Sequence, residues 1–347
     1  MLVDSVPEQR AETAPAPPTR RAIRAVGLLV SVAVLLLVAV ASIAIGAKEL
    51  SVGQVWHGVF EGTGTYADVV VDERLSRTAL GLLAGAALGL AGTVLQALTR
   101  NPLADPGLLG INAGASAAVV TALTYFGVTS LSGYVWFAFL GAAAVGALVW
   151  FLGGSRSATP VRLALAGTAI SAALFGYVQA VMIMDEAALA KMRFWTVGSL
   201  SSATDDTIRQ VLPFIAVGTL ISLALARPLN AVAMGDDTAR ALGAHLGRTR
   251  ALSMLAATVL CGAATAACGP IVFVGLMVPH VVRSFTGPDL RWIMPYAAIL
   301  SPVLLLGSDV IGRVVARPSE VQVGIITAII GGPVFIFLVR RRRTAQL

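Results

Sequence analysis

The feature that most constrains this chain is a recurring run of about twenty residues without a charged side chain, closed each time by a short polar break. Charge-free blocks occupy residues 25–47, 78–99, 107–155, 163–184, 210–226, 251–282, 292–308 and 321–339. A helix rises 1.5 Å per residue, so about 20 residues match a hydrocarbon core of roughly 30 Å. The block at 107–155 is 49 residues long and must fold back once, near Gly127–Gly133. The block at 251–282 is 32 residues long and is broken at Gly269-Pro270, where the glycine and the proline each interrupt a helix. The expectation is an all-α polytopic membrane protein of about ten transmembrane helices.

Charge placement gives the orientation. Charged residues make up only 12% of the chain, hydrophobic ones 57%, and the mean hydropathy is +0.84, far from a soluble domain with roughly 25% charged residues. The net charge of +7 sits at the ends of the apolar runs, which argues against nucleic-acid binding and for membrane topology. With an even number of spans both termini lie on one side. Taking that side as cytoplasmic gives inner segments 17 of the 25 basic residues and leaves the outer segments with 8 basic and 11 acidic ones. Residues 1–24 read as a disordered basic tail, 25–343 as the membrane domain and 344–347 as a short C-terminal tail. The run at 25–47, 23 residues long, exceeds a signal-peptide core.

Three polar segments interrupt the pattern: 48–77 and 309–320 on the outer side, 227–250 on the inner. The stretch 74–116 joins the two sides. Arg74 and Arg77 precede a charge-free helix, which ends at Arg100-Asn101-Pro102-Leu103-Ala104-Asp105-Pro106 before a second Gly/Ala-rich run. Two prolines four apart force a helix–turn–helix there.

Catalytic chemistry has little to stand on. Neither Lys48 nor Lys191 follows a glycine, so no Walker A loop exists. His57, His245 and His280 are scattered, and no Cys/His/carboxylate group has metal-ligand spacing. Cys261 and Cys268 are seven apart on one apolar run, about 10 Å along a helix, too far to bridge. The spans lack interior charge, which ion-coupled carriers need; Asp309 and His280 lie near span ends, His280 expected to end a helix after Pro279. Energy for transport must then come from elsewhere. In the inner loop, Met234-Gly235-Asp236-Asp237-Thr238-Ala239-Arg240-Ala241-Leu242-Gly243 reads as a two-turn helix with an Asp N-cap and Gly243 at C′. It is either a short interfacial helix or a peg for a cytoplasmic partner.

The blocks RLSR (74–77), QALTRNPLADPGLLGINAGA (96–115), GDDTARALG (235–243), GPIVFVGLMVPHVVR (269–283), SDVIGR (308–313) and VGIITAIIGGPVFIFLVRR (323–341) resemble the FecCD-type permeases. These are the membrane subunits of ATP-driven importers for iron–siderophore complexes, haem and cobalamin. The resemblance runs from about residue 25 to 343, with Ser76 where the family usually has proline.

The resemblance implies a type II importer permease in the bacterial plasma (inner) membrane. Its partners would be a second permease subunit, in a homo- or heterodimer, ATPase subunits inside and a periplasmic or lipid-anchored substrate-binding protein outside. Arg74, Arg77 and Arg313 match the outward arginines that pair with glutamates of the binding protein. Asp236, Asp237, Thr238, Ala239, Arg240, Ala241, Leu242 and Gly243 match the loop that couples to the ATPase. Thr168, Ser171, Phe175 and Gln179, at helical spacing, are candidates for the pathway at the dimer axis or for close helix packing.

No catalytic residue, cofactor or metal is expected on this chain; ATP is used by the partner. The expected cargo is an iron(III)–siderophore, arriving already chelated, with haem and cobalamin as nearest alternatives. A secondary carrier or channel working alone is the different-class alternative.

Overall fold

A computed structural model describes residues 20–62, 64–128, 130–153 and 160–344. Along the chain run α1 (Arg20–Ala44), α2 (Val52–Phe60), α3 (Tyr66–Thr99), a 3-10 turn (Pro106–Leu109), α4 (Ile111–Tyr125), α5 (Leu131–Leu152), α6 (Pro160–Met184) and α7 (Glu186–Trp195). The second part holds α8 (Asp205–Ala224), α9 (Ala226–Ala233), α10 (Asp236–Ala241), α11 (Leu246–Cys268), α12 (Val274–Thr286), α13 (Leu290–Val315) and α14 (Val323–Thr344). Seven of them, α1, α3, α5, α6, α8, α11 and α13, are long and apolar enough to cross a membrane. The expected ten also takes in α4, α12 and α14, which length and composition alone do not qualify.

Both expected breaks are present. Helix α4 stops at Tyr125 and α5 starts at Leu131, while α11 stops at Cys268 with Gly269 in the left-handed region at φ 72°. Helices α3 and α11 form the middle of the bundle, with 78% of each apolar stretch buried, against 11% of α1 and 17% of α6. A helix with so little of its surface covered by its own chain faces lipid or another subunit.

Small residues let the central helices touch. A Cβ on Gly85 of α3 would stand 2.6 Å from the Cα of Pro302 in α13, and one on Gly89 would stand 2.7 Å from the carbonyl of Ala297. Both glycines, four apart on one face, therefore allow backbone-to-backbone contact between α3 and α13. Buried in α12, Pro279 has no N–H for the carbonyl four residues back, at Gly275. Gln96 of α3 supplies the missing donor, its Nε2 reaching the Gly275 oxygen at 3.4 Å and the Leu276 oxygen at 3.0 Å. Asn112 of α4 likewise accepts from the Thr265 hydroxyl of α11 at 2.9 Å. Cys261 and Cys268 are free, buried thiols.

Several expected boundaries are corrected. Arg74 and Arg77 do not lie in a polar segment ahead of a span: α3 begins at Tyr66, capped reciprocally by Thr65 and Asp68. Asp309 and Arg313 likewise belong to the last turns of α13, and α12 runs through His280 to Thr286. The physical reason is common to the first two: charges that neutralise one another can be carried inside a helix, so the first charge does not mark its end. Of the expected N-terminal tail, Arg20–Arg24 are the first turns of α1. Residues 1–19 and 345–347 lie outside the described residues.

Candidate functional site

The functional candidates fall on three parts of the bundle, and two of these are charged networks at opposite ends of α3. At its N-terminal end the three arginines expected to dock a partner are buried, with 5%, 8% and 1% of Arg74, Arg77 and Arg313 accessible. Arg74 donates to the carbonyls of Ile43 (3.0 Å), Ala44 (2.9 Å) and Lys48 (2.5 Å). Arg313 donates to the carbonyl (2.9 Å) and hydroxyl (2.9 Å) of Ser42. The carbonyls of Ser42, Ile43 and Ala44 are the last of α1, which have no N–H partner further along the helix and carry the negative end of its dipole, and Lys48 lies in the segment that follows. Two guanidinium groups thus close the end of a helix that the rest of the chain hardly covers.

Arg77 turns the other way. Its Nε and terminal nitrogen hold Asp309 at 2.7–3.1 Å, and its remaining nitrogen meets Glu320 Oε2 at 2.7 Å. Asp309 is fully buried and also pairs with Arg313 at 3.0 Å. One carboxylate therefore sits between two arginines, on α3 and on α13. Further out, Arg317 bridges Glu49 at 2.6 Å and the Gly46 carbonyl at 2.8 Å. The three arginines expected as outward docking residues thus lie inside this chain, because helix-end carbonyls and Asp309 take up their donors. Ser76, the departure from the family pattern, donates to Asp205 of α8 at 2.8 Å.

At the other end of α3, Arg100 is the C-cap, left-handed at φ 50°. Its Nε donates to the Val232 carbonyl at 2.8 Å and its terminal nitrogen pairs with Asp236. Arg250 of α11 takes the second oxygen of Asp236 at 2.7 Å. Burial pushes the Asp236 carboxyl up, but the hydrogen bond from Arg100 and the charge of Arg250 outweigh it and hold the group below the usual carboxylate range. Asp236 is thus the anchor of the loop and not its N-cap. Gly235 takes the N-cap place at φ 117°, with no side-chain cap. Gly243 does take the expected left-handed C′ place at φ 79°. Its N–H bonds Arg240 O at 2.9 Å and that of Ala244 bonds Ala239 O at 2.9 Å, the paired closure of a Schellman motif.

Of the other loop residues, Ala239 is buried against Val232 and Leu246. Asp237, Thr238, Arg240, Ala241, Leu242 and Gly243 are exposed, Leu242 by 63%, and Arg240 pairs with Asp237 at 3.0 Å. The result is a six-residue helix bolted down at one end and displaying an apolar and a basic side chain. Beside it, Asn230 of α9 donates to Asp289 at 2.7 Å and accepts from the Leu290 N–H at 2.9 Å. Hydrogen bonds from Arg291, more than the opposing burial, bring the Asp289 carboxyl down to about 2.

The third part is α6. Thr168, Phe175 and Gln179 are exposed and Ser171 is half-buried beside Gly110. The Thr168 and Ser171 hydroxyls bond back to the carbonyls of Ala164 (2.8 Å) and Gly167 (2.7 Å) on their own helix. Thr168 lines a cavity of about 360 Å³ with Leu95, Asn101 and Asp105; the structure places Ser171 and Gln179 outside it. Sequence reasoning missed Glu320, Gln96 and the pairing role of Asp309. Only Asp309, four residues before Arg313 on one helix face, carried a readable signal.

Comparisons with known proteins fit this geometry. The FecCD transport family matches residues 34–341. The ferric enterobactin transport system permease protein FepD of Escherichia coli is 47% identical over 93% of this chain and 96% of its own length. The hemin transport system permease protein HmuU of Yersinia pestis is 35% identical over 89% of this chain and 93% of its own. A solved structure described as an inward-facing metal-chelate type ABC transporter superposes with a TM-score of 0.81 at 28% identity, covering 91% of this chain and 99% of that one. The chain therefore belongs to the FecCD transport family, as a multi-pass inner-membrane permease subunit of an ABC transporter whose ATP hydrolysis lies in a separate subunit.

Proposed function

We propose that this chain imports an iron(III)–siderophore as one of two permease subunits around a shared pathway. The observation that carries the cargo assignment is the 47% identity, over nearly the full length of both chains, to a ferric enterobactin permease. In this reading ten helices cross the membrane, the seven long ones together with α4, α12 and α14, and both termini are cytoplasmic. The excess of basic residues on the α9–α10 side supports that sidedness.

The loop Asp236–Gly243 then faces the ATPase subunit. Leu242 and Arg240 are its contact residues, and Asp236, clamped by Arg100 and Arg250, transmits their displacement to α3 and α11. The opposite end of the bundle receives the substrate-binding protein. Arg74, Arg77 and Arg313 serve that docking from beneath, holding α1, α3 and α13 in register, and Arg77 is the one whose acidic partner, Glu320, is within reach of solvent. The sparsely covered face of α6 with Thr168, Ser171 and Gln179 meets the second permease subunit.

The test is growth of a deletion strain under iron limitation, supplied in turn with iron–enterobactin, iron–hydroxamate, iron–citrate or haem. Loss of growth on one iron–siderophore, restored by the gene, is the expected result. Growth lost on haem alone would replace the assignment with a haem importer, which the 35% identity to HmuU makes the second reading.

A further inference from the structure

A cavity of about 660 Å³ opens where the end of α8 meets α9 and the start of α11. Its lining combines apolar Ile221, Leu225 and Leu252 with basic Arg227, His245 and Arg248, and no carboxylate lines it among the described residues. Arg227 and Arg248 are exposed and make no hydrogen bond or ion pair among the described residues. The buried arginines Arg74, Arg77 and Arg313, by contrast, close onto carbonyls or carboxylates. Ile221 and Ala224, which line it, lie at the end of α8, where Leu212, Val217, Leu220 and Leu223 are also exposed on a helix long enough to span a bilayer. The cavity thus joins the apolar surface of a spanning helix to two guanidinium groups at that helix's end.

We propose that this cavity seats an anionic phospholipid, its phosphate between Arg227 and Arg248 and one acyl chain along Ile221, Leu225 and Leu252. Basic pockets between helices at the cytoplasmic surface suit such headgroups, and guanidinium groups bind phosphate through paired donors. The inference rests on the reading above that this end of the bundle is cytoplasmic. Leu242 and Gly243 also edge the cavity, so the lipid would touch the far end of the coupling loop from the side opposite Asp236. The occupant is a lipid and not a segment of the ATPase because Ile221 and Ala224 of the apolar lining belong to α8, a helix long enough to span the bilayer with exposed leucines along it, and a phospholipid matches both that apolar surface and the two guanidinium groups.

The test uses the purified full-length chain in detergent, titrated with dioleoylphosphatidylglycerol or dioleoylphosphatidylcholine and followed by native mass spectrometry and thermal unfolding. The wild type is expected to retain the glycerol lipid in preference to the choline lipid and to melt at a higher temperature with it. R227Q/R248Q should lose about tenfold or more of that retention, two basic groups at about fivefold each. A224F, which enlarges an apolar lining residue and leaves both arginines, should lose retention as well, so misfolding of one variant does not decide the matter. Equal retention of the two lipids, or unchanged retention in both variants, overturns the proposal. Glycerol 3-phosphate raising the melting temperature as much as the lipid would overturn it too, as would variants that keep lipid but no longer hold the ATPase subunit. Sidedness is read separately, by labelling G247C in intact and in opened cells with an impermeant thiol reagent; labelling in intact cells sinks the topology and leaves the lipid measurement standing.

Discussion

The two ends of α3 carry similar charged residues and use them in opposite ways. At the first, Arg74, Arg77 and Arg313 are buried and every one is held by at least two acceptors. At the second, a single carboxylate, Asp236, is clamped by Arg100 and Arg250, and the residues that follow it, all but Ala239, stand in solvent. The difference is one of desolvation. A buried charge network fixes helices and is strongly destabilised by losing a fully buried member, whereas an exposed pair fixes one residue and leaves its neighbours free to meet a partner. The first end is built as a joint and the second as a handle.

Asp309→Asn should break that contrast hardest. It leaves Arg77 and Arg313 buried with their shared counter-charge gone, a loss of about 3–5 kcal/mol. The expected outcome is poor membrane accumulation and a much lower melting temperature in detergent. Near wild-type melting would mean that the joint is held by its carbonyl contacts and not by Asp309.

At the handle, the same size of change should act on function and not on folding. Leu242→Asp alters a side chain that is 63% exposed, so stability should move within about 0.5 kcal/mol. ATP hydrolysis stimulated by the binding protein should nevertheless fall by at least tenfold in the assembled transporter. Arg100→Ala removes half of the Asp236 clamp, and hydrogen exchange of residues 234–243 should quicken while the rest of α3 keeps its protection. Unchanged stimulated hydrolysis in Leu242→Asp would remove the coupling role from this loop.

How much of this was legible in the sequence depends on whether a residue's role is set locally or across helices. The left-handed Gly243, the break at Gly269-Pro270 and the turn near Gly127 were readable, because a backbone conformation there follows from the residue itself. The burial of Arg74, Arg77 and Arg313 was not readable. Arg77 meets Asp309 and Glu320 across 232 and 243 positions of chain, and no local pattern reports such a pairing. Gln96 looks like any polar residue near a helix end; its meaning appears only when Pro279 of another helix leaves the Gly275 carbonyl without a donor. The Asp N-cap failed for the same reason: two arginines outside the loop, Arg100 and Arg250, compete for the Asp236 carboxylate and win.

Acid should separate the two ends by a smaller margin. Asp236 and Asp289, both at the handle, have folded-state values below the usual carboxylate range, Asp289 at about 2. A depressed carboxylate contributes stability that is fully present above its unfolded value near 3.9 and is lost as the pH falls through its folded value. The protection of the Leu290 amide, which donates to Asn230 beside Asp289, taken relative to open-chain exchange at the same pH, should stay constant from pH 7 to about 4 and fall between there and about 2. A fall already at pH 6 would assign the protection to some other group.

The smallest effect tests whether the joint has any free edge. Glu320 is the one acid of that network with substantial exposure, a third of its side chain, and it occupies a single nitrogen of Arg77. Glu320→Gln should therefore cost no more than about 1 kcal/mol, the scale of a partly exposed pair, with Asp309 still holding the other nitrogens. If Arg77 takes part in docking an acidic surface, freeing that nitrogen should tighten binding of the substrate-binding protein by a few fold, most clearly at low salt, since rim charges act through screened fields. Binding that is unchanged at every salt concentration, together with the small stability loss, would show that Arg77 belongs wholly to the joint. The docking charge would then have to come from groups such as Arg317, which is a third exposed and bound to the still more exposed Glu49.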